Sequence, residues 1–150
     1  MNALQINTAL QIQKPPHTVF EALVEPQHMA HYFISESTGS MEAGKTLHWK
    51  FPEFDLTFPI RVLEVLPDTF IAFEWEGEPG KQLQVEIRLE ELPGNSTLVK
   101  ISEGPMENDA AGIQWLGRNT AGWANFLACL KAYVEYGINL RKGAFDFMKH

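Results

Sequence analysis

A chain of 150 residues, 45% hydrophobic and 21% charged, has the composition and size of an ordinary globular domain. Nineteen acidic against twelve basic side chains leave a net charge of −7, so the basic field that phosphate recognition depends on is missing and a nucleic-acid binder is excluded. No signal peptide opens the chain, no apolar run approaches the roughly 20 residues of a membrane span, and the single cysteine, Cys129, permits neither an intrachain disulfide nor a cysteine zinc cluster.

Leu4, Ile6, Leu10 and Ile12 alternate with Gln5, Asn7, Gln11 and Gln13, a period of two that predicts a half-buried first strand. Lys14, Pro15 and Pro16 end it, and Pro16 suits the first turn of a helix, where its missing N–H costs nothing. Val19, Phe20, Leu23 and Val24 follow helical spacing, and Pro26 starts a second short helix carrying Met29, Ala30 and Phe33. Residues 37–46 are turn-rich and hold at most a short strand.

From Leu47 the period of two returns, with Leu47, Trp49 and Phe51 on one face. The next strand is read from Phe54, with Leu56, Phe58, Ile60 and Val62 on the same parity. After Val62 the phase slips, because Glu64 takes the inward position; one extra residue, a β-bulge, restores the pattern and bends the strand. Ile71, Phe73 and Trp75 face inward on the following strand, and Leu83, Val85, Ile87 and Leu89 on the one after. A hairpin at residues 92–96 leads into a last strand holding Val99 and Ile101.

Asn108 or Asp109 is the predicted N-cap of a long final helix. Its apolar side carries Trp115, Trp123, Phe126, Leu127, Leu130, Val134 and Ile138, with Asn119 among them and Cys129 at the edge as a buried, inert thiol. About 28 residues at about 1.5 Å each span roughly 40 Å, enough to cross a meander of five or six antiparallel strands. Gly112, Gly117 and Gly122 each cost a helix about 1 kcal/mol relative to alanine. They mark either a close approach to the helix backbone or an irregular first turn.

This order of elements, together with IQKPPHTVFEALVEPQHMAHYF (12–33), RVLEVLPDTFIAFEW (61–75) and GWANFLACLKAYVEYG (122–137), resembles the START-like helix-grip superfamily, also called SRPBCC. Within it the chain is similar to homologues of the activator of heat-shock protein 90 ATPase, the Aha-type C-terminal-like domain. The resemblance implies an α+β helix-grip fold like that of the birch-pollen allergen. In it a curved antiparallel sheet of six to seven strands wraps a long C-terminal helix, with two short helices after the first strand and a hydrophobic cavity between sheet and helix. Family members bind lipids, sterols, polyketides or other apolar molecules, and some catalyse cyclisation or dehydration. The true co-chaperone carries a separate N-terminal domain. This sequence starts directly at its first strand, so the expectation is one START-like domain over residues 1–150, in the cytoplasm.

The functional expectation is a binding module for an apolar or aromatic small molecule, lined by Trp49, Phe58, Phe73, Trp75, Trp115, Asn119 and Trp123, with Ala121 outside the site. Two alternatives are an enzyme of the polyketide cyclase/dehydratase type and a co-chaperone-like module with a protein partner. An enzyme would have to use His31, Tyr32 or Glu103 near the cavity mouth. Glu103 shares the inward parity of Val99 and Ile101 but is placed at the strand's end, on the rim. Glu74, Glu76, Glu86 and Glu90 fall on the opposite parity, a solvated face. His28 and His31 have metal-compatible spacing, yet a tetrahedral site needs further ligands and only Glu25 or Glu36 offers one. No catalytic residue, metal or cofactor is therefore assigned.

Overall fold

The computed structural model describes residues 2–149. The order of elements is β1 (Leu4–Ile12), α1 (Pro16–Val24), α2 (Pro26–Met29), β2 (Glu36–Ser37), β3 (Thr46–Lys50), β4 (Thr57–Leu66), β5 (Phe70–Glu78), β6 (Lys81–Leu92), β7 (Ser96–Met106) and α3 (Ala110–Tyr136). The seven strands form one sheet in the order β1-β7-β6-β5-β4-β3-β2. All neighbours run antiparallel, so β2 to β7 are a meander and β1 closes its far edge against β7. The chain crosses from one edge to the other through α1 and α2.

The sheet is curved, and the ladder shows where it bends. The bulge expected after Val62 is present, as a register shift between Val62 and Glu64 against β5. Further irregularities fall between Leu4 and Ile6 and between Glu76 and Glu78. On the inner face Leu83, Val85, Ile87 and Leu89 are all buried, as their alternation requires. The result is an α+β helix-grip, with α3 lying along β1 and β7 and burying Trp115, Trp123, Phe126, Leu127 and Leu130. Full burial of side chains of this size contributes roughly 1.5–3 kcal/mol each. Among the described residues no helix is long and apolar enough to cross a membrane.

Both ends of α3 are chemically marked. The Asp109 carboxylate accepts the Gly112 N–H at 2.7 Å, which fixes the N-cap. Gly137, with φ 66°, stops the helix in the left-handed conformation. Ile138 lies past that stop and is 53% exposed, so it is not on the buried face that its spacing suggested. Two other boundaries move. The strand read from Phe54 starts at Thr57; Phe54 and Leu56 belong to the preceding loop, and Leu56 is 67% exposed. Helix α2 ends at Met29, so Ala30 and Phe33 follow in turns. The helix glycines separate. A Cβ on Gly112 would stand 1.9 Å from the Glu107 carbonyl oxygen, a close backbone approach, whereas at Gly117 and Gly122 nothing lies within 4 Å.

Candidate functional site

A cleft of about 400 Å³ opens between the middle of α3, the loop after β3, the turn holding Tyr32 and Phe33, and the C-terminal segment at 141–148. Helical spacing supplies one wall. Asn119, Trp123 and Phe126 recur at intervals of four and three, so they project from one face. Phe33 meets Phe126 edge-on at 4.7 Å between ring centroids and Phe51 at 5.3 Å, and Trp123 meets Phe126 at 5.2 Å. Aromatic rings prefer this geometry because a positive edge meets a negative face. Gly122, which lacks a side chain, also borders the opening.

Behind the aromatic wall sits a carboxyl group. Glu103 is 0% exposed; Trp75 Nε1 donates to its Oε2 at 2.9 Å and Trp123 Nε1 to its Oε1 at 2.8 Å. The rim position expected for Glu103 is wrong, because β7 continues three residues further, to Met106. Its ladder partners are Ile6 on β1 and Val85 on β6, both apolar. Burial raises the Glu103 pKa above its ordinary value, and hydrogen bonds from Trp123, Trp75 and Asn119 act against that rise. Gly77 leaves the room it needs: a Cβ there would stand 2.4 Å from Oε2. The Asn119 carboxamide donates to the Gly77 carbonyl at 3.4 Å.

The cleft's other side is fastened by charge. Both η nitrogens of Arg141 donate to the Glu53 carboxylate, and the guanidinium lies 4.8 Å from the Phe145 ring centroid. Arg118, also on the cleft, donates to Glu78 at 2.7 Å.

Of the residues anticipated for a ligand, Trp75, Asn119 and Trp123 border this cleft. Trp49, Phe73 and Trp115 do not; they are buried in the core, and Phe58, also outside the lining, meets Phe51 edge-on at 5.7 Å between ring centroids. The indole nitrogens of Trp49 and Trp115 have no hydrogen-bond partner among the described residues. Ala121, placed outside the site from sequence, borders it. Phe33, Phe51, Glu53, Arg141 and Phe145 were not anticipated at the site: Phe33 and Phe51 were read only as a helix and a strand position, and Glu53, Arg141 and Phe145 lie in a loop and the tail, which carry no periodic signal.

The polar candidates are used structurally. Tyr32 is buried and donates its hydroxyl to the Ala22 carbonyl at 2.8 Å, and burial raises its pKa. His28 Nδ1 lies 2.6 Å from the Tyr133 hydroxyl, and His31 stacks on the Tyr133 ring at 5.3 Å. Among the described residues no group of three or more His, Cys, Asp or Glu could hold a metal ion.

The family described as Activator of Hsp90 ATPase homolog 1-like protein matches residues 13–135. Among solved structures the chain is similar to the protein SSP2350 from Staphylococcus saprophyticus, at 32% identity and TM-score 0.81, over 92% of this chain and 96% of that one. It is also similar in fold to the Aha1 dimer from Colwellia psychrerythraea, at 19% identity and TM-score 0.75, over 89% and 98% of the two chains. A third neighbour is DynU16, a putative protein in the dynemicin biosynthetic locus, at 23% identity and TM-score 0.79; 90% of this chain matches 48% of that one. No curated protein matches the chain.

Proposed function

The chain belongs to the Activator of Hsp90 ATPase homolog 1-like protein family, and from that premise we propose that it is a one-domain binding module for an apolar or aromatic small molecule. The observation that carries this reading is the cleft itself: about 400 Å³, walled by Phe33, Phe51, Trp75, Trp123 and Phe126. Volumes of about 300–1,000 Å³ with apolar walls and few polar groups are what small-molecule sites use. Trp75, Asn119 and Trp123 are the proposed contacts, with Asn119 and Asn125 available to orient a polar substituent.

A ligand burying about 300 Å² of apolar surface gains roughly 7 kcal/mol at about 25 cal/mol per Å², before association costs. What remains supports affinities around micromolar. Glu103, the carboxyl group behind the aromatic wall, does not border the cleft, and both its oxygens already accept indole N–H groups. That arrangement supports binding over acid–base catalysis.

The test is a titration with a fatty acid, a flavonoid and a naphthalene dye, followed by tryptophan fluorescence. Saturable quenching that Trp123→Ala alters, and that Ala128→Ser on the exposed side of α3 leaves alone, is the expected result. Absence of any saturable response to all three sinks the reading.

A further inference from the structure

We propose that the cleft selects a cationic aromatic amine over neutral and anionic molecules of the same shape, because two of its walls, Trp75 and Trp123, both donate their indole N–H groups to one buried carboxyl group, Glu103, that has no cationic partner among the described residues. The inference rests on the small-molecule reading of the cleft and adds the charge of the ligand to it.

A charge inventory of the site leads there. Glu53 and Arg141 border the cleft but neutralise each other through two hydrogen bonds. Arg118 is matched by Glu78. Glu103 is the ionisable group left without a counter-ion: among the described residues it is in no ion pair, its ladder partners are Ile6 and Val85, and its hydrogen bonds come from neutral groups, so an ammonium group in the cleft favours its ionised form. Once ionised, a buried carboxylate is poorly screened, so its field reaches past the indole N–H edges into the cleft.

The indoles transmit the same sign chemically. An N–H donating to a carboxylate gives up proton character and pushes electron density into the ring. The negative face that attracts cations is thereby strengthened. Trp75 and Trp123 stand 5.7 Å apart between ring centroids, tilted by 38°, so one ammonium group can lie against both. A carboxylate ligand in the same place would gain no such attraction and would oppose ionisation of Glu103. Gly77 indicates that the carboxyl position is built into the fold, since any side chain there would displace Oε2.

Three naphthalene probes separate charge from shape: the neutral methanol derivative, the methylammonium derivative and the carboxylate. Calorimetric titration at neutral pH should rank the ammonium tighter than the alcohol by about fivefold or more, with the carboxylate weakest. Glu103→Gln should bring the ammonium-to-alcohol ratio towards one. Trp75→Phe keeps an aromatic ring and removes one donor, so it should lower the ratio even if Glu103→Gln folds poorly. An alcohol that binds saturably beside an ammonium that binds no tighter overturns the inference and leaves the cleft a neutral binding site. A ratio unchanged in both variants also overturns it. Failure of all three probes to bind removes the small-molecule reading itself, and this inference with it.

Discussion

Arg141 and Glu53, 88 positions apart in the chain, are joined by two hydrogen bonds of 2.9 and 2.7 Å, with side chains only 14% and 5% exposed. The pair ties the segment after α3 to the loop between β3 and β4 and closes one side of the cleft. Such fork-to-carboxylate pairing is the strong kind of ion pair, because the geometry matches both partners.

Arg141→Ala should therefore cost about 1.5–3 kcal/mol, the range for losing hydrogen bonds to a charged group. Amide exchange at 141–148 should accelerate, and bound ligand should dissociate faster. Arg141→Lys should recover little, because an ammonium cannot fork. Unchanged exchange in the alanine variant would show that the pair does not hold the segment.

The grip of the sheet on α3 has its own test. Leu130 is fully buried in the face that packs on the sheet, so Leu130→Ala should cost roughly 2–5 kcal/mol in urea denaturation. Ala128→Ser, on the exposed side, should stay within about 0.5 kcal/mol of the parent. Equal small effects at both positions would contradict the packing.

The strands, the bulge after Val62 and the course of α3 were legible because apolar side chains repeat with the period of the backbone. Legibility failed where that periodicity continued past its element. Phe54 and Leu56 keep the parity of β4 but precede it, and Ile138 keeps the helix spacing beyond Gly137. Inward parity did not separate a core from a cleft wall. Trp49 and Trp115 point inward and are sealed in the core, while Trp75 and Trp123 point inward and border space. The Arg141–Glu53 latch left no local trace, since its partners meet only when the tail folds back. Glu103 was misplaced because the end of β7 was set too early, and a carboxyl hydrogen-bonded by two distant indoles has no signature along the chain.

Three glycines of similar appearance should behave in opposite ways. Gly117→Ala, on the open side of α3, should stabilise the protein by up to about 1 kcal/mol, since nothing lies within 4 Å and alanine is the better helix former. Gly112→Ala would drive a methyl group into the Glu107 carbonyl, and Gly77→Ala would meet both Glu103 Oε2 and Leu83 Cδ1 at 2.4 and 2.6 Å. Each should cost at least about 1–3 kcal/mol, as overpacking does. Thermal melts of the three variants decide the matter, and a neutral Gly77→Ala would mean that the carboxyl seat is loose.

The buried carboxyl also predicts how stability follows pH. Burial sets the folded-state pKa of Glu103 above its ordinary value of 4.5. From about that pH up to the folded-state value, the folded chain holds a proton on Glu103 that the unfolded chain has released. Stability contributed by this group must then fall as pH rises through that window and level off above it. The groups facing the carboxyl are Ile6, Val85, Trp75, Gly77, Asn119 and Trp123, none of which titrates there. Glu103→Gln cannot titrate, so the melting temperature of the parent minus that of the variant isolates the effect from the other acids. That difference should decline as pH is raised from about 4.5 and then stay flat. A saturating naphthylmethylammonium should favour the ionised carboxyl and shrink the decline, while the neutral alcohol should not. A difference that is level or rises over the same range would show that Glu103 is not held in its protonated form by burial.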